Sequence, residues 1–370
     1  MGSGMDRRTF LGRTLGAAGI SLLGCAPGDA AAIPEGFQAW AWVHGNARDS
    51  LDGWRGAFGR LGDAGFTGVL ASGGDLDLLS PAAREAGLAF HRWVWALNRN
   101  GDEWAQREHP EWFTVSREGR SSLEHPPYVG YYRWVCPTRR PVREYLSSLA
   151  SEIAADPRVD GVHLDYIRHC DVILPRGLWD RYGLVQDTEL PPFDFCYCEA
   201  CRMAFMEGTG RDPILLEDPS QDEEWRRFRW DSVTRLVEEV AGSVRSMGKP
   251  ITAAVFPTPT IARRLVRQAW DEWPLDAVFP MLYHGFYLED LEWIGDGIRE
   301  ARAAGVGRPG SGPPPDRLFA GLYLPHLTPA QAAEAVAIAR EAGAGGVSFF
   351  EMGGLTDEHL RAVGRVLTRA

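Results

Sequence analysis

Short apolar runs alternate with longer stretches of helical hydrophobic spacing along the chain from residue 36 onward. The short runs predict eight strands, at 38–43, 68–71, 89–96, 161–167, 251–256, 277–283, 318–323 and 346–351. The longer stretches predict helices at 53–64, 81–86, 141–155, 223–247, 288–304, 329–342 and 356–368. Alternating strands and helices are typical of a parallel sheet, and eight units predict closure. We therefore expect the α/β class and a single (β/α)8 TIM barrel.

The connections between these elements favour the barrel and indicate where a site would lie. Glycine often ends a helical stretch directly before a strand, as at Gly65, Gly87 and Gly248. The alternative is an open, doubly wound sheet, but no GxGxxG motif follows a predicted strand. Two connections are long, 97–135 after the third strand and 169–221 after the fourth. Loops that follow barrel strands lie at the catalytic face, so we expect these two to build the site.

The N-terminus has the features of an export signal. Arg7 and Arg8 form a twin-arginine pair, and the apolar run at 15–23 is shorter than the roughly 20 residues that span a bilayer. The run leads to Leu-Leu-Gly-Cys ending at Cys25, which resembles a lipobox. The alternative interpretation is a buried amphipathic helix with a chance arginine pair. We predict lipidation at Cys25 and a protein anchored in the cell envelope, on the periplasmic or extracellular face.

Three segments follow from this interpretation. We assign 1–24 to a twin-arginine lipoprotein signal peptide, 25–35 to a tether and 36–370 to the barrel domain. Removing 1–24 takes away three arginines and one aspartate, so the net charge changes from −11 to −13. Nucleic acids and anionic lipids are bound through positive patches. The charge therefore argues against both as partners, and we expect membrane contact through the lipid anchor only.

The predicted fourth strand carries the sharpest chemical motif. Its sequence, Val-Asp-Gly-Val-His-Leu-Asp-Tyr-Ile-Arg, places His163 and Asp165 on the same face because side chains two residues apart point the same way. A carboxylate at the C-terminal end of a barrel strand lies in the active-site mouth. Asp165 is thus predicted to be a catalytic carboxyl. Arg168 would hold it ionised or bind substrate, which favours a nucleophile or base; the alternative is a structural Asp–Arg pair.

Several segments resemble the glycoside-hydrolase-like family 10 proteins. The resemblance covers about residues 36–368 and is carried by HPEWF at 109–113, VCPTRRPVREYL at 135–146, DGVHLDYIR at 160–168, FPMLYHG at 279–285 and GGVSFFEMGGL at 345–355. It implies a TIM barrel and glycosidase activity. Proteins of this family often carry glutamine in the sixth strand where this chain has Met281.

Glycoside hydrolysis normally needs two carboxyl groups that flank the scissile bond. We predict Glu351 as the partner of Asp165 because it ends the eighth strand, across the barrel from the fourth. The alternative role of Glu351 is to stabilise its own loop as an acceptor for backbone N–H groups. Asp75 and Asp77, after the second strand, are rival carboxyls or simply part of a polar turn.

Aromatic and basic side chains gather at other predicted strand ends and could bind a sugar or form core. The residues predicted to bind substrate are Trp42, His91, Trp93, His163, Arg168, Tyr283, His284 and Tyr323.

The cysteines indicate a metal site. Cys196, Cys198 and Cys201 form a CxCxxC run in the long loop after the fourth strand, and either Cys136 or Cys170 could complete it. Four thiolates suit a tetrahedral structural zinc, with no open position for catalysis. Disulfides are the alternative in an oxidising compartment. Twin-arginine export favours zinc, because the protein folds before it leaves the cytoplasm.

These observations predict a glycoside hydrolase that acts on an extracytoplasmic poly- or oligosaccharide and requires no cofactor for catalysis. One alternative is a non-catalytic lipoprotein that binds glycans in the same aromatic cleft. Another is a metal-dependent hydrolase with the ion held by His91, His163 and Asp165 at the barrel mouth.

Overall fold

The computed structural model describes residues 33, 35–305 and 312–368. The twin-arginine pair and Cys25 lie outside the described residues, so the signal peptide and the lipid anchor stay predictions. The described helices include none that is long and apolar enough to cross a membrane.

Eight parallel strands form one sheet that closes into a barrel. They are β1 Gln38–His44, β2 Gly68–Ser72, β3 Ala89–Trp95, β4 Gly161–Asp165, β5 Ile251–Val255, β6 Ala277–Pro280, β7 Phe319–Tyr323 and β8 Gly346–Phe350. Their order in the sheet is β6-β5-β4-β3-β2-β1-β8-β7. Two isolated parallel bridges, Val278 to Leu318 and Met281 to Gly321, join the β6 and β7 edges. The predicted single (β/α)8 barrel is confirmed.

The strands are connected by helices that cover the outside of the barrel, with additional short helices in the loops. The helices are α1 Leu51–Asp63, α2 Leu76–Glu85, α3 Glu103–Glu108, α4 Arg140–Ala154, α5 Trp179–Tyr182, α6 Glu199–Thr209, α7 Glu223–Ser246, α8 Pro259–Val266, α9 His284–Tyr287, α10 Glu292–Ala303, α11 Pro329–Glu341 and α12 Asp357–Leu367. The long connections predicted after the third and fourth strands are present. They contain α3 in the first connection and α5 and α6 in the second, none of which was predicted.

Side-chain caps fix where several helices begin. The Ser50 hydroxyl accepts a hydrogen bond from the Gly53 N–H at the start of α1, and the Asp222 carboxylate accepts one from the Trp225 N–H at the start of α7. Thr328 and Gln331 form a reciprocal capping box at the start of α11. Such caps satisfy backbone donors that have no partner inside the helix.

The barrel interior is filled by large side chains that face glycines on neighbouring strands. A Cβ on Gly68 would lie 2.5 Å from the Trp40 ring, and a Cβ on Gly161 would lie 2.5 Å from His91 Nε2. Only glycine at these positions leaves room for the facing ring.

Part of the predicted tether also packs against the barrel. Ile33 contacts the interior cluster that contains Trp40, and its carbonyl accepts a hydrogen bond from Arg317. The predicted tether is therefore packed at residue 33.

Gly161→Ala is expected to destabilise the protein by about 1–3 kcal/mol, because the added methyl overpacks a filled interior. His91 cannot easily move away: it is fully buried, and the Trp40 ring lies at a centroid distance of 4.9 Å. Urea unfolding measures the change. Gly242→Ala in α7 is the matched control, since a Cβ there meets nothing within 4 Å and should stabilise the helix. Equal stability of Gly161→Ala and wild type would contradict this account of the packing.

Candidate active-site cleft

The C-terminal ends of the strands open into a cleft of about 260 Å³. Its lining comes from strand ends and from the loops after β3, β4 and β6. The lining residues are His44, Trp93, Trp95, Tyr128, Tyr132, Asp165, Tyr166, Arg168, Asp171, Leu174, Pro175, Leu178, Tyr182, Phe256, Met281, Tyr283, Phe286, Tyr287 and Phe350. The cleft is thus predominantly aromatic, with few charged groups.

Asp165 is the last residue of β4 and reaches the cleft from the end of that strand. Its Oδ2 accepts a hydrogen bond from Trp93 Nε1 at 3.1 Å, and its Oδ1 accepts one from the Tyr166 N–H at 2.7 Å. Both carboxyl oxygens therefore have a donor, which fixes the orientation of the group. The Tyr166 backbone that supplies one donor has a φ of 51°, in the left-handed region that bulky residues rarely adopt.

Burial raises the pKa of Asp165 to about 6. The Tyr166 N–H, the positive charge of Arg168 and the Trp93 N–H each lower this pKa, and together they offset only part of the burial. A carboxyl with a pKa near 6 holds its proton in weakly acidic solution and can release it to a substrate. The sequence predicted that Arg168 would hold Asp165 ionised or bind substrate; in the structure the effect of burial on the pKa of Asp165 outweighs that of the Arg168 charge.

Arg168 forms its ion pair with Asp171, and the expected Asp165–Arg168 pair is absent from the described ion pairs. Arg168 Nη1 lies 2.9 Å from Asp171 Oδ2, and both side chains are more than nine-tenths buried. The guanidinium carbon also lies 4.9 Å from the centroid of the Trp134 ring and 4.8 Å from that of Phe256. The pair is therefore a buried element at the cleft wall, held by charge and by cation–π contacts.

Asp171 is the second carboxyl group in the lining, and the sequence reasoning missed it. Its backbone carbonyl accepts a hydrogen bond from the Tyr128 hydroxyl at 3.0 Å. That hydroxyl in turn accepts one from Gln186 Nε2 at 2.8 Å. Asp171 thus connects the loop after β4 to the loop after β3. The available sequence signal was a charged residue inside an otherwise apolar run at 170–174.

Tyrosine side chains from the two long loops form one wall of the cleft. Tyr128 and Tyr132 come from the loop after β3, and Tyr182 comes from the loop after β4. The Tyr128 backbone has a φ of 62°, so its unusual conformation is maintained by contacts to other elements. Flat, partly exposed rings of this kind present the surfaces on which sugar rings can stack.

Trp93 and Tyr283 line the cleft, at the position expected for them. Tyr283 is largely buried, with its ring centroid 5.2 Å from that of Tyr323. Tyr323 and His284, both predicted to bind substrate, lie outside the lining. The centroid distances from the His326 ring are 4.8 Å for Tyr323 and 6.2 Å for His284. Tyr323 therefore contacts the cleft-lining Tyr283 ring without being part of the lining itself.

Trp42, His91 and His163 are placed below the cleft, inside the barrel, so their prediction as substrate-binding residues is corrected. Trp42 is 2% exposed, and both histidines are fully buried. His163 Nδ1 is hydrogen-bonded to Thr252 Oγ1 at 2.8 Å. Burial lowers the pKa of His91 to about 3 and that of His163 well below its ordinary value. Both histidines are therefore neutral and serve as core.

This placement removes the support for a metal-dependent hydrolase. In the part of the chain that the structure describes, His91, His163 and Asp165 do not form a group of metal-ligand atoms; only a cysteine cluster does so.

Glu351 follows the last residue of β8 and lies at the edge of the cleft. Its Oε2 is 3.8 Å from Nε2 of His44. His44 belongs to the lining of the cleft, whereas Glu351 does not.

The rival carboxyls Asp75 and Asp77 have structural roles. Asp75 caps α2 by accepting a hydrogen bond from the Asp77 N–H, and Asp77 forms an ion pair with Arg158 at 2.6 Å.

Four of the predicted metal-site cysteines come together. The sulfurs of Cys136, Cys196, Cys198 and Cys201 all lie within 4.8 Å of one another, and all four residues are buried. Cys170 is buried elsewhere as a free thiol, so of the two candidates it is Cys136 that joins the CxCxxC run.

No protein-family model matches the sequence, and no curated protein has a significantly similar sequence. The resemblance to glycoside-hydrolase-like family 10 therefore stays a prediction.

Solved structures resemble the fold. The glycoside hydrolase domain of PgaB (BpsB) from Bordetella bronchiseptica is 14% identical with a TM-score of 0.55, covering 90% of this chain and 99% of that one. The catalytic domain of beta-amylase from Paenibacillus polymyxa is 10% identical with a TM-score of 0.53, covering 90% and 98%. The spore cortex-lytic enzyme SleL from Bacillus megaterium QM B1551 is 8% identical with a TM-score of 0.51, covering 92% and 74%. The chain thus has the TIM-barrel fold of glycoside hydrolase domains.

Proposed function

We propose that the protein is a glycoside hydrolase that cleaves an extracytoplasmic poly- or oligosaccharide, with Asp165 as its general acid. The observation that carries this proposal is the position and pKa of one group. Asp165 lies at the end of β4 in an aromatic cleft, and burial raises its pKa to about 6. The fold shared with glycoside hydrolase domains supports the same reaction class. The protein would be exported through its twin-arginine signal and anchored at Cys25.

In the proposed reaction, protonated Asp165 gives its proton to the glycosidic oxygen as the bond from that oxygen to the anomeric carbon breaks. The positive charge that develops on the sugar ring is met by a second carboxylate, which either attacks the anomeric carbon or activates a water molecule. We propose Glu351 for this role, because it lies at the cleft edge beside His44. The other carboxyl of the lining, Asp171, is already paired with Arg168.

The cleft favours an uncharged or basic sugar. Its walls are mainly aromatic, and its one lining arginine is neutralised by Asp171. The chain without residues 1–24 has a net charge of −13, which repels polyanions. Neutral glycans and amino-sugar polymers therefore fit the cleft better than uronic-acid polymers.

A panel of polysaccharides tests the proposal. Purified protein is incubated with neutral glucans, amino-sugar polymers and uronic-acid polymers, and new reducing ends are counted. We expect cleavage of a neutral or amino-sugar polymer and none of the polyuronates. Glycan binding without new reducing ends in any case would contradict the enzyme and favour the non-catalytic glycan-binding alternative, which uses the same aromatic cleft.

The pH dependence of cleavage follows from the pKa of Asp165. Because the reaction needs Asp165 protonated, kcat/KM for the substrate should fall as the pH rises through about 6. The decline should approach tenfold per pH unit above that value, since the protonated fraction falls at that rate. Initial rates between pH 4 and 8 measure the profile. A kcat/KM that is constant or rises from pH 6 to 8 would exclude Asp165 as the general acid.

A further inference from the structure

Four cysteine sulfurs from two separate loops meet in one buried site, which we call the tetracysteine site: Cys136, Cys196, Cys198 and Cys201. The Cys136 sulfur lies 3.4 Å from that of Cys201 and 3.7 Å from that of Cys198. Cys136 lies near the end of the loop after β3, four residues before α4 begins at Arg140, whereas the other three belong to the loop after β4, around the start of α6. The site therefore joins two loops that are distant in sequence.

The arrangement of these sulfurs matches a tetrahedral metal centre. A zinc ion bound at about 2.3 Å from each of four thiolates places the sulfurs about 3.8 Å apart. The observed separations of 3.4 and 3.7 Å are close to this spacing. Disulfides require a sulfur–sulfur distance of about 2.05 Å and join only two atoms each. All four cysteines are free thiols here.

Polar groups around the site point at the sulfurs. The backbone N–H groups of Val115 and Cys198 donate to Cys196 Sγ at 3.5 and 3.4 Å. The Cys201 thiol donates to the Thr138 hydroxyl oxygen at 3.2 Å, and that hydroxyl can rotate to donate to the sulfur once the sulfur is a thiolate. Donors of this kind stabilise metal-bound thiolates and hold them in place. With four protein ligands and no open position, the centre suits a structural role.

We propose that the tetracysteine site binds one zinc ion that clamps the two long loops together and so shapes the aromatic wall of the cleft. Binding converts the thiols to thiolates and releases their protons to solvent. The two loops also meet beside the site, where the Tyr197 N–H donates to the Val115 carbonyl at 2.8 Å. The same loops carry Tyr128 and Tyr132 on one side and Asp171 and Tyr182 on the other. This inference concerns metal binding and loop order, and it holds whether or not the cleft is catalytic.

Metal analysis of the purified full chain, produced without added zinc, tests binding directly. We expect one zinc per chain in wild type and loss of zinc in Cys136→Ser. Cys170→Ser is the matched control, because Cys170 is equally buried but outside the site, and it should keep its zinc. Wild-type protein without metal, or with disulfides among the four cysteines by mass spectrometry, would overturn the proposal. So would equal zinc in Cys136→Ser and wild type.

Cobalt substitution gives a readout that does not depend on whether a variant folds. Wild-type protein produced in cobalt-supplemented, zinc-depleted medium should show the intense visible bands of tetrahedral thiolate coordination. The weak bands of an octahedral oxygen site would overturn the proposal.

Hydrogen exchange before and after zinc removal tests the clamp itself. Removal should speed amide exchange in the loop segments 112–138 and 171–201 and leave β1 and β8 protected. Unchanged exchange in those loops would contradict a clamp. Unfolding of the whole barrel would also contradict it, since the metal would then support the entire fold. Neither readout uses catalysis, so failure of the clamp is distinguishable from failure of the proposed function.

Discussion

Asp165→Asn is expected to lower kcat on the natural glycan by about 10²–10⁴-fold, which is the usual contribution of a general acid. Asparagine has nearly the same shape as aspartate but has no carboxyl proton to give. Its carbonyl oxygen can replace only one of the two acceptors that now bind Trp93 Nε1 and the Tyr166 N–H. The amide N–H group must therefore face one of these donors, and this mismatch costs about 1–3 kcal/mol.

The stability of the same variant should depend on pH in a defined direction. The folded-state pKa of Asp165, about 6, is above the value of about 3.9 for an unfolded chain. The wild type therefore loses stability as the pH rises from about 4 to about 6, because the carboxyl ionises in the unfolded chain while the folded protein keeps it largely protonated. The asparagine variant has no such loss. Its melting temperature relative to wild type should thus rise between pH 4 and pH 7.

A matched control checks the Asp165 prediction. Asp77→Asn removes an exposed carboxylate that pairs with Arg158, and it should leave kcat unchanged. Full activity of Asp165→Asn, or unfolding of that variant at every pH, would show that Asp165 has no catalytic role or is mainly structural.

Asp171→Asn is expected to destabilise the protein by about 3–5 kcal/mol, because it leaves the Arg168 guanidinium charged and unpaired in a buried site. Arg168 is 7% exposed and Asp171 is 4% exposed. The aromatic rings around the guanidinium cannot replace the lost negative charge. Urea unfolding curves measure the loss, which should appear as a lower midpoint with an unchanged slope.

A double variant separates the charge effect from other causes. Combining Asp171→Asn with Arg168→Met removes both charges and fills the aromatic surroundings with an apolar chain. The double variant no longer contains an uncompensated buried charge, so most of the lost stability should return. Equal destabilisation of the single and the double variant would mean that the ion pair is not what holds this wall.

The strands could be predicted closely because their hydrophobic runs are short and bounded by glycine and polar turns. The predicted fourth strand contains the observed one, Gly161–Asp165. The bounds of the helices were predicted less closely. The second predicted helix covers residues 81–86. In the structure that helix begins at Leu76 behind the Asp75 cap and includes Pro81. α8 and the loop helices were missed because they are short and their form depends on tertiary contacts.

The site could be predicted only in part, because sequence gives the face of a strand but not the height of a residue in the barrel. His163 and Asp165 share a face, yet only Asp165 reaches the cleft; His163, two residues earlier, lies in the interior. For the same reason Trp42 was predicted to bind substrate at the barrel mouth, whereas it lies in the barrel interior. The partner of Arg168 depended on the path of the loop after β4, and the sequence did not specify that path.

A leaving-group comparison tests the central claim, that Asp165 is the general acid of a glycosidase, most directly. Wild type and Asp165→Asn are assayed on the polysaccharide and on a dinitrophenyl glycoside of the same sugar, whose leaving group departs without a proton. We predict a loss of about 10²–10⁴-fold for the variant on the polysaccharide and nearly wild-type kcat on the activated glycoside. An equal loss on both substrates, or no loss on either, would contradict the claim.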